Sequence, residues 1–381
     1  MALLSGAVSI ASPSGSEQVV AEYLVQAMRQ CCDDAYVDAV GNAIGRWGTG
    51  RLRVWLLGHI DTVPGHIDVR LVDGELYGRG AVDAKGSFCA FVAAVAELPP
   101  ALAEKLSITL IGAVGEEAPD SVGARHAVMS LPLPDLVVIG EPSGWDALTL
   151  GYKGTMQVEL VAVEPSRHTS VDEPTAAEKV VEAYNAIRHF VDELNRRAAP
   201  ADGGPADVDP ADVDPARNEH LRAAVPLFES LQLRLLSVSA ADDGLTQRAR
   251  ARLGFRLPPQ VSATAVAARL STLALAEGAH CEVVPGAVEA YRSPKNGPLA
   301  SAFRVAIRAA GGTPRHKLKM GTADMNVVAA AWHSGGFEVP PMLAYGPGDA
   351  NLDHTPQERL ALAEYRSAIN VLREALVALG A

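Results

Sequence analysis

Short apolar runs, separated by turns rich in glycine, proline and charge, recur along the first 150 residues. Residues 52–58, 106–114 and 135–139 are rich in valine, leucine and isoleucine, and their length predicts buried strands. Residues 85–98 are apolar and alanine-rich over a length that predicts a helix. Strands that alternate with helices predict an α/β fold in which helices cover both faces of a sheet.

A further helix is predicted close to the first residues. Ser14 and Glu17 have the spacing of a capping box, in which each side chain satisfies a backbone N–H of the first turn. Val20, Leu24 and Met28 then recur at the spacing of one helical face. We therefore expect the box to begin this helix.

The pattern changes at about residue 154. Strands and helices are predicted in the order 155–163 (strand), 174–197 (helix), 231–239 and 246–256 (strands), 261–277 (helix) and 279–291 (strand). This β-α-β-β-α-β order is typical of a ferredoxin-like unit. We predict a catalytic domain of residues 1–153 and 293–381, interrupted by an inserted domain of residues 154–292.

Residues 198–216 repeat a Pro-Ala-Asp-Val-Asp unit and contain almost nothing that could be buried. This acidic, low-complexity composition predicts a flexible surface loop, to which we assign no chemistry.

Composition narrows the classes of partner. The formal net charge of −12 argues against broad nucleic-acid or membrane-surface binding, because both require a basic face. Four cysteines without a CxxC spacing predict reduced thiols, and no signal peptide or membrane span is indicated. We therefore expect a cytoplasmic protein.

Histidine and acidic residues follow several predicted strands. His59 ends the strand at 52–58, and Asp61 lies where its carboxylate could orient the imidazole of a metal ligand. Asp83 ends a glycine-rich turn that does not satisfy GxGxxG. When such a residue is found alone, it is more often an ordinary loop or surface residue than a metal ligand.

The pair Glu116 and Glu117 is more informative. Adjacent carboxylates after a buried strand repel each other unless a positive charge lies nearby, and a metal ion supplies one. One residue could then be a ligand and the other a general base. Glu141 follows the next strand, and His354 lies on a glycine-rich loop, so metal-dependent chemistry is indicated.

Other hydrolase and nucleotide motifs are absent from the sequence. It contains no GxSxG elbow, no HExxH and no Walker loop. Serine hydrolase, thermolysin-like protease and nucleotide-dependent enzyme are therefore disfavoured.

The sequence resembles the co-catalytic zinc family that includes aminoacylase-1, acetylornithine deacetylase, succinyl-diaminopimelate desuccinylase and glutamate carboxypeptidase. The matching stretches follow the family's order over nearly the whole chain: Ser12–Glu17, Gly58–Pro64, Leu76–Gly86, Gly115–Glu117, Gly140–Pro142, His168–Ser170, Phe255–Pro259 and His354–Glu358. The resemblance implies a zinc-peptidase-like catalytic domain, with a mixed sheet between helices, and an inserted lid that forms a homodimer.

The resemblance also implies a role for each site residue. Each subunit would bind two Zn²⁺ ions, or Co²⁺ or Mn²⁺ in their place. His59 and Glu141 would bind one ion, Glu117 and His354 would bind the other, and Asp83 would bridge the two ions. The peptide bond between Asp83 and Ala84 would be cis. Asp61 would orient His59, Glu116 would be the general base, His168 would act in the partner's site, and Arg256 would bind a substrate carboxylate. Ala84 departs from the family pattern, in which relatives often carry Asp, Asn or Met.

Within this family the sequence is most similar to hydrolases that release lysine from the C-terminal glutamate of an acidic amino-group carrier protein. The similar stretches are Gly140–Gly154 and His316–Asn326. A basic cluster at 315–319 would suit such a carrier or form a solvated loop. We expect Lys317, Lys319 and Thr322 to contact the substrate, lysine or ornithine to be released, and the pathway to be amino-acid biosynthesis.

Two alternatives remain open at this stage. One is a small-molecule deacylase that acts on N-acetyl-ornithine, N-acetyl-lysine or N-succinyl-diaminopimelate. The other is an inactive metal-binding or interaction protein of the same fold. Glu116 argues against the second alternative, because a scaffold would need the ligands but not the base.

Overall fold

The computed structural model of the protein describes residues 1–198 and 227–381. The helices are α1 Ala2–Ser9, α2 Gln18–Met28, α3 Lys85–Ala96, α4 Val122–Ser130, α5 Ala176–Ala198, α6 Ala263–Ala276, α7 Pro298–Ala309, α8 Asp324–Ser334 and α9 Leu362–Gly380. The strands are β1 Asp34–Val37, β2 Ala43–Trp47, β3 Leu52–His59, β4 Arg70–Val72, β5 Glu75–Tyr77, β6 Leu106–Ala113, β7 Leu136–Gly140, β8 Ala147–Tyr152, β9 Gly154–Pro165, β10 Gln232–Asp242, β11 Thr246–Leu257, β12 His280–Val288, β13 Tyr291–Arg292, β14 Arg315–Lys319, β15 Met342–Ala344 and β16 Arg359–Ala361. Short 3-10 turns span Pro100–Glu104 and Ala350–Leu352.

The chain divides into two compact units. The first comprises Met1–Gly151, Arg292–Lys317 and Ala323–Ala381, and the second comprises Tyr152–Tyr291 and Leu318–Thr322. The described residues of each unit enclose an apolar interior of their own.

The first unit is built on a mixed sheet. Its strand order is β1-β2-β6-β3-β7-β15-β8-β13, with β14 paired to β8. The central strands β6, β3, β7 and β15 run parallel, whereas β2 joins β6 in the antiparallel sense. A smaller sheet of β16, β5 and β4 also belongs to this unit. Parallel central strands place their carboxyl ends at one edge, which is where functional residues gather in such sheets.

Two groups of helices pack on this sheet. The helices α1, α3, α7 and α9 contact one another in one group, and α4 packs against α8 in the other. The predicted strands at 52–58, 106–114 and 135–139 correspond to β3, β6 and β7, and the predicted helix at 85–98 corresponds to α3, which ends at Ala96. These predictions are confirmed because each element buries a long apolar run.

The predicted capping box is wrong. The helix α2 begins at Gln18, and no side chain caps it. Instead, the Ser14 hydroxyl donates to Asp61 Oδ2 at 2.7 Å, and Glu17 Oε1 accepts the Gly115 N–H at 3.1 Å. Both polar side chains are therefore used by loops that lie far away along the chain rather than by the helix.

Two glycines face each other where β3 and β7 end. Gly58 and Gly140 are register partners on these parallel strands. A Cβ atom on Gly58 would lie 3.3 Å from the Gly140 Cα and 3.5 Å from Phe88, and one on Gly140 would lie 3.0 Å from Phe91. Because both phenylalanines belong to the buried α3, the absence of side chains lets this helix pack directly on the two strand ends.

The second unit contains the predicted β-α-β-β-α-β order, as β9, α5, β10, β11, α6 and β12. Its antiparallel sheet has the order β10-β11-β9-β12, so that β10 and β12 are the edge strands. Alternate residues of β9 and β11 are buried beneath α5 and α6 and form one apolar cluster. The other face of the sheet carries no helix of this unit within the described residues.

The acidic loop predicted at 198–216 lies outside the described residues, apart from Ala198 at the end of α5. None of the described helices is long and apolar enough to cross a membrane. All four cysteines are free thiols.

Candidate active site

Five histidine and acidic residues from separate parts of the chain meet at the carboxyl edge of the first unit's sheet. They are His59 at the end of β3, Asp83 in the turn before α3, Glu117 after β6, Glu141 after β7 and His354 in the loop after residues 350–352. The register between β3 and β7 explains why His59 and Glu141 are neighbours, because Gly58 and Gly140 directly precede them.

Asp83 lies between the two histidines. Its Oδ1 is 3.1 Å from His59 Nε2, and its Oδ2 is 3.0 Å from His354 Nε2. Glu141 Oε1 is 4.0 Å from the same nitrogen of His59, whereas Glu117 Oε1 is 2.8 Å from the same nitrogen of His354. Each histidine is thus paired with one glutamate, and the two oxygens of Asp83 join the two pairs.

The charges of this site are unbalanced. Burial raises the pKa of Glu116 well above its usual range, and the nearby Glu141, Asp324 and Glu117 raise it further. The hydrogen bond to Asp83 raises the pKa of His354 to about 9. A site that disfavours carboxylates and favours protonated histidine has a strongly negative potential, which a cation would neutralise.

The donor set fits a divalent metal ion. The candidate ligand atoms of His59, Asp83 and Glu117 all lie within 4.8 Å of one another. Imidazole nitrogen and carboxylate oxygen are ligands that Zn²⁺ accepts, and they also suit Co²⁺ and Mn²⁺. The structure therefore contains a candidate metal site, and its donors do not select one metal among these.

Asp61 connects the histidine to the acidic loop. Its Oδ1 lies 3.4 Å from His59 Nδ1 and accepts the Glu116 N–H at 3.1 Å, while its Oδ2 accepts the Glu117 N–H at 3.0 Å. Burial alone would raise the pKa of Asp61, but hydrogen bonds from His59, Ser14 and Glu117 lower that pKa below its usual value. The carboxylate is therefore held charged, and it fixes the His59 ring relative to the backbone of the two glutamates.

Glu358 supports Asp83, and the sequence analysis assigned it no role. Its buried Oε1 accepts the N–H groups of Val82 and Asp83 at 3.0 and 3.1 Å, and its Oε2 pairs with Arg79 at 2.9 Å. The peptide bond from Asp83 to Ala84 is cis. Glu358 lies within the family-like stretch His354–Glu358, which was the available signal, but its partners are about 275 residues away along the chain.

Asp324, the first residue of α8, was also missed. It is 2% exposed, and neither carboxylate oxygen has a hydrogen-bond partner within the described chain. Burial raises its pKa to about 7, and Asp61 and Glu141 add to the shift. A charged residue in the stretch His316–Asn326 was the signal, but only the fold reveals that it is buried beside the acidic site.

The remaining predicted site residues belong to other parts of the fold. His168, Arg256, Lys319 and Thr322 lie in the second unit, and Lys317 lies in the first. His168 is exposed in the segment between β9 and α5, where its Nδ1 is 2.9 Å from the Ser170 hydroxyl. Of the five residues, only Lys317 therefore belongs to the unit that contains the candidate metal site.

The basic cluster at 315–319 forms strand β14 rather than a loop. Arg315 forms an ion pair with Asp146, and the Lys319 ammonium lies 5.7 Å from the centre of the Tyr152 ring. Lys317 and Lys319 are half-buried, so the interpretation of the cluster as a fully solvated loop is wrong. Alternation along a strand places Arg315, Lys317 and Lys319 on one face.

The chain is similar over nearly its whole length to proteins that are named as hydrolases of one kind. A LysW-lysine hydrolase of Deinococcus radiodurans is 44% identical over 99% of this chain and 96% of its own length. A Pyrococcus furiosus protein that carries the name of a LysW-lysine/LysW-ornithine hydrolase is 34% identical over 98% of this chain and 94% of its own.

Solved structures agree on the fold. An M20 family metallo-carboxypeptidase from Sulfolobus solfataricus aligns with a TM-score of 0.74 and 18% identity, covering 99% of this chain and 98% of that one. The predicted α/β fold with a mixed sheet and helices is thereby confirmed. The sequence pattern of peptidase family M20/M25/M40 matches residues 55–378. The chain therefore belongs to peptidase family M20/M25/M40 and is a hydrolase.

Proposed function

We propose that the protein binds two Zn²⁺ ions and hydrolyses the amide bond that joins lysine to the C-terminal glutamate of LysW, an amino-group carrier protein. The observation that supports the metal assignment is the position of Asp83, whose two oxygens lie 3.1 and 3.0 Å from two histidines. His59 with Glu141 would bind one ion, and Glu117 with His354 the other.

Metal ions bound there would acidify a water molecule and polarise the substrate carbonyl. The Glu116 carboxylate would accept a proton from the attacking water as its oxygen adds to the amide carbon, and would return that proton to the lysine nitrogen as the carbon–nitrogen bond breaks. Its neighbours support this role, because Glu117 and Glu116 are held by the same Asp61 carboxylate. The base and a ligand are therefore fixed in one geometry.

The names of the relatives support the choice of substrate. The Deinococcus radiodurans relative, which aligns along almost the whole chain, is named for LysW-lysine. Ornithine is a second product to test, since the Pyrococcus furiosus relative is named for both. We propose that Arg256 binds a substrate carboxylate and that Thr322, Lys317 and Lys319 also contact the substrate.

A substrate panel tests this proposal directly. The purified, zinc-loaded protein is expected to hydrolyse LysW-lysine with a much higher kcat/KM than N-acetyl-lysine, N-acetyl-ornithine or N-succinyl-diaminopimelate. Release of free lysine is measured by amino-acid analysis. The reverse order would identify a small-molecule deacylase, and no turnover of any amide would favour an inactive binding protein.

The protein is also proposed to act as a homodimer through its second unit, with His168 stabilising the oxyanion in the partner's site. The edge strand β10 supports this proposal, because Leu235, Leu236 and Val238 are exposed on it. An exposed edge strand with apolar side chains readily pairs with another chain.

Mixing two inactive variants tests this arrangement. His168→Ala and Glu116→Gln should each be nearly inactive, but subunit exchange between them should restore about a quarter of wild-type activity, because half of the dimers then contain one intact site. Activity after co-refolding gives the measurement. Glu116→Gln mixed with Asp83→Ala is the matched control. It should stay inactive, because each substitution disables the site of the subunit that carries it and no hybrid dimer then contains a complete site. A fully active monomer would disprove the arrangement.

The strand β14 offers a second test of the carrier. Replacing Lys317 and Lys319 with glutamate should raise KM for LysW-lysine roughly tenfold, because favourable charge pairs become repulsive. A short peptide that ends in the same lysine-bearing glutamate should be affected much less. Arg51→Glu with Lys105→Glu, both exposed, provides a control with the same change in charge. Equal losses on both substrates would mean that β14 shapes the site itself.

A further inference from the structure

The open face of the second unit's sheet is strongly basic. The strand β11 buries Ala249, Ala251, Leu253 and Phe255 beneath the helices. Because side chains alternate along a strand, Arg248, Arg250, Arg252 and Arg256 all project from the opposite face. The first three of these arginines are exposed, and Arg256 is half-buried.

The neighbouring strands add little negative charge to this face. On β10, the register partners of Arg252, Arg250 and Arg248 are Ser237, Ser239 and Ala241, and Arg234 lies opposite Gly254. On β9 and β12, the acids opposite one another on this face are Glu159 and Glu282. Arg234, Arg248, Arg250, Arg252 and Arg256, here called the arginine face, therefore outnumber the two acids.

Few ion pairs neutralise the arginine face. Arg250 Nη1 lies 3.6 Å from Glu159 Oε2. Among the described residues, no ion pair within 4.0 Å includes Arg248 or Arg252. The charge of Arg248 does add to the backbone hydrogen bonds that lower the pKa of Asp243, in the turn between β10 and β11. Like charges two residues apart on one strand repel each other and do not stabilise the sheet. In a chain of formal net charge −12, this concentration of positive charge is unexpected for a purely structural surface.

The dimensions indicate a macromolecular partner. Arg248 and Arg256 are eight residues apart, which corresponds to about 26 Å along a strand. A single lysine or ornithine could contact only one end of this row, whereas a small protein domain could cover it. Nucleic acid binding requires an extended basic surface, which a formal net charge of −12 disfavours, whereas a small acidic protein domain needs only a patch of this size.

We propose that the arginine face docks the acidic body of the carrier protein whose lysine-bearing terminus is the substrate. This inference rests on the proposed function and specifies the surface by which the carrier is recognised. Opposite charge would steer the encounter and hold the carrier. Screening of exposed charges beyond roughly 8 Å makes such docking sensitive to salt.

The test is the triple variant Arg248→Gln, Arg250→Gln, Arg252→Gln, which leaves Arg256 intact. KM for LysW-lysine should rise roughly tenfold at physiological ionic strength, with kcat unchanged. The short peptide ending in the lysine-bearing glutamate should be hydrolysed as by the wild type. The KM of the wild type for LysW-lysine should increase steeply with salt, and that of the variant should increase much less.

A control triple variant replaces exposed arginines on the helices of the same unit: Arg188→Gln, Arg196→Gln and Arg269→Gln. It carries the same change in charge and should behave as the wild type. A triple variant of β11 that matches this control would overturn the proposal. Equal losses on carrier and peptide would also overturn it, because the arginines would then act on the active site rather than on the carrier.

Direct binding separates this inference from the proposed function. Affinity of lysine-free LysW for the wild type and for both triple variants is measured by titration calorimetry. If the wild type binds LysW through the arginine face but does not hydrolyse LysW-lysine, the docking surface stands and the proposed reaction fails. If it hydrolyses LysW-lysine while all three proteins bind LysW equally, the reaction stands and the docking surface fails.

Discussion

Replacing Glu116 with glutamine is expected to lower kcat roughly a thousandfold while both metal ions stay bound. Glutamine keeps the size of the side chain but cannot accept the proton, and proton transfer of this kind contributes about 10²–10⁴ in rate. The backbone N–H of residue 116 still donates to Asp61 Oδ1 in the variant, so the loop that carries residues 116 and 117 keeps its position. Kinetics with LysW-lysine and metal analysis of the same sample give the two measurements.

The control for this substitution is Glu338→Gln, which makes the same chemical change at an exposed position. It should leave both kcat and metal content unchanged. In the metal-free protein, Glu116→Gln should also be at least as stable as the wild type, because burial and the neighbouring carboxylates both disfavour the charged form of Glu116. A Glu116→Gln enzyme that keeps most of its activity would remove this residue from the mechanism.

The second large effect is expected from Asp83→Ala. Because the two oxygens of Asp83 face both histidines, its loss should weaken both metal sites at once and reduce activity at least a thousandfold. Zinc content after dialysis should fall well below two ions per subunit. Excess zinc in the assay should not restore activity, since the proposed bridging carboxylate is missing.

Glu358→Ala is expected to have a smaller effect on metal affinity and activity than Asp83→Ala. Glu358 accepts the N–H groups of Val82 and Asp83 but does not face the histidines. Loss of such a supporting group lowers metal affinity about 10–100-fold, so excess zinc should restore most of the activity. Asp192→Ala, an exposed change on α5, should have no effect. An Asp83→Ala protein that keeps two zinc ions would contradict the bridging role.

The positions of the main site residues could be predicted because each follows a recognisable apolar strand. His59, Glu117 and Glu141 come directly after β3, β6 and β7, and parallel neighbouring strands end at the same edge of a sheet. The local sequence therefore carried enough information to bring them together. The ferredoxin-like unit was predictable for a similar reason, since its strands and helices are long and periodic.

The supporting contacts could not be predicted in the same way. Ser14 and Glu17 have the spacing of a capping box, yet their side chains bond to Asp61 and Gly115. The two side chains could have capped the helix, but in the structure they form hydrogen bonds with residues far along the chain instead. Glu358 and Asp324 were missed because their roles depend on burial beside residues that lie hundreds of positions away.

The facing glycines at positions 58 and 140 have a consequence for metal selectivity. They bring β3 and β7 together just before His59 and Glu141, and α3 packs on this contact through Phe88 and Phe91. We therefore expect the spacing of His59 and Glu141, the proposed ligands of one ion, to depend on how α3 packs on the two strand ends. Substitutions at Phe88 or Phe91 are therefore expected to change the metal preference of the proposed site, although they alter none of its candidate ligands.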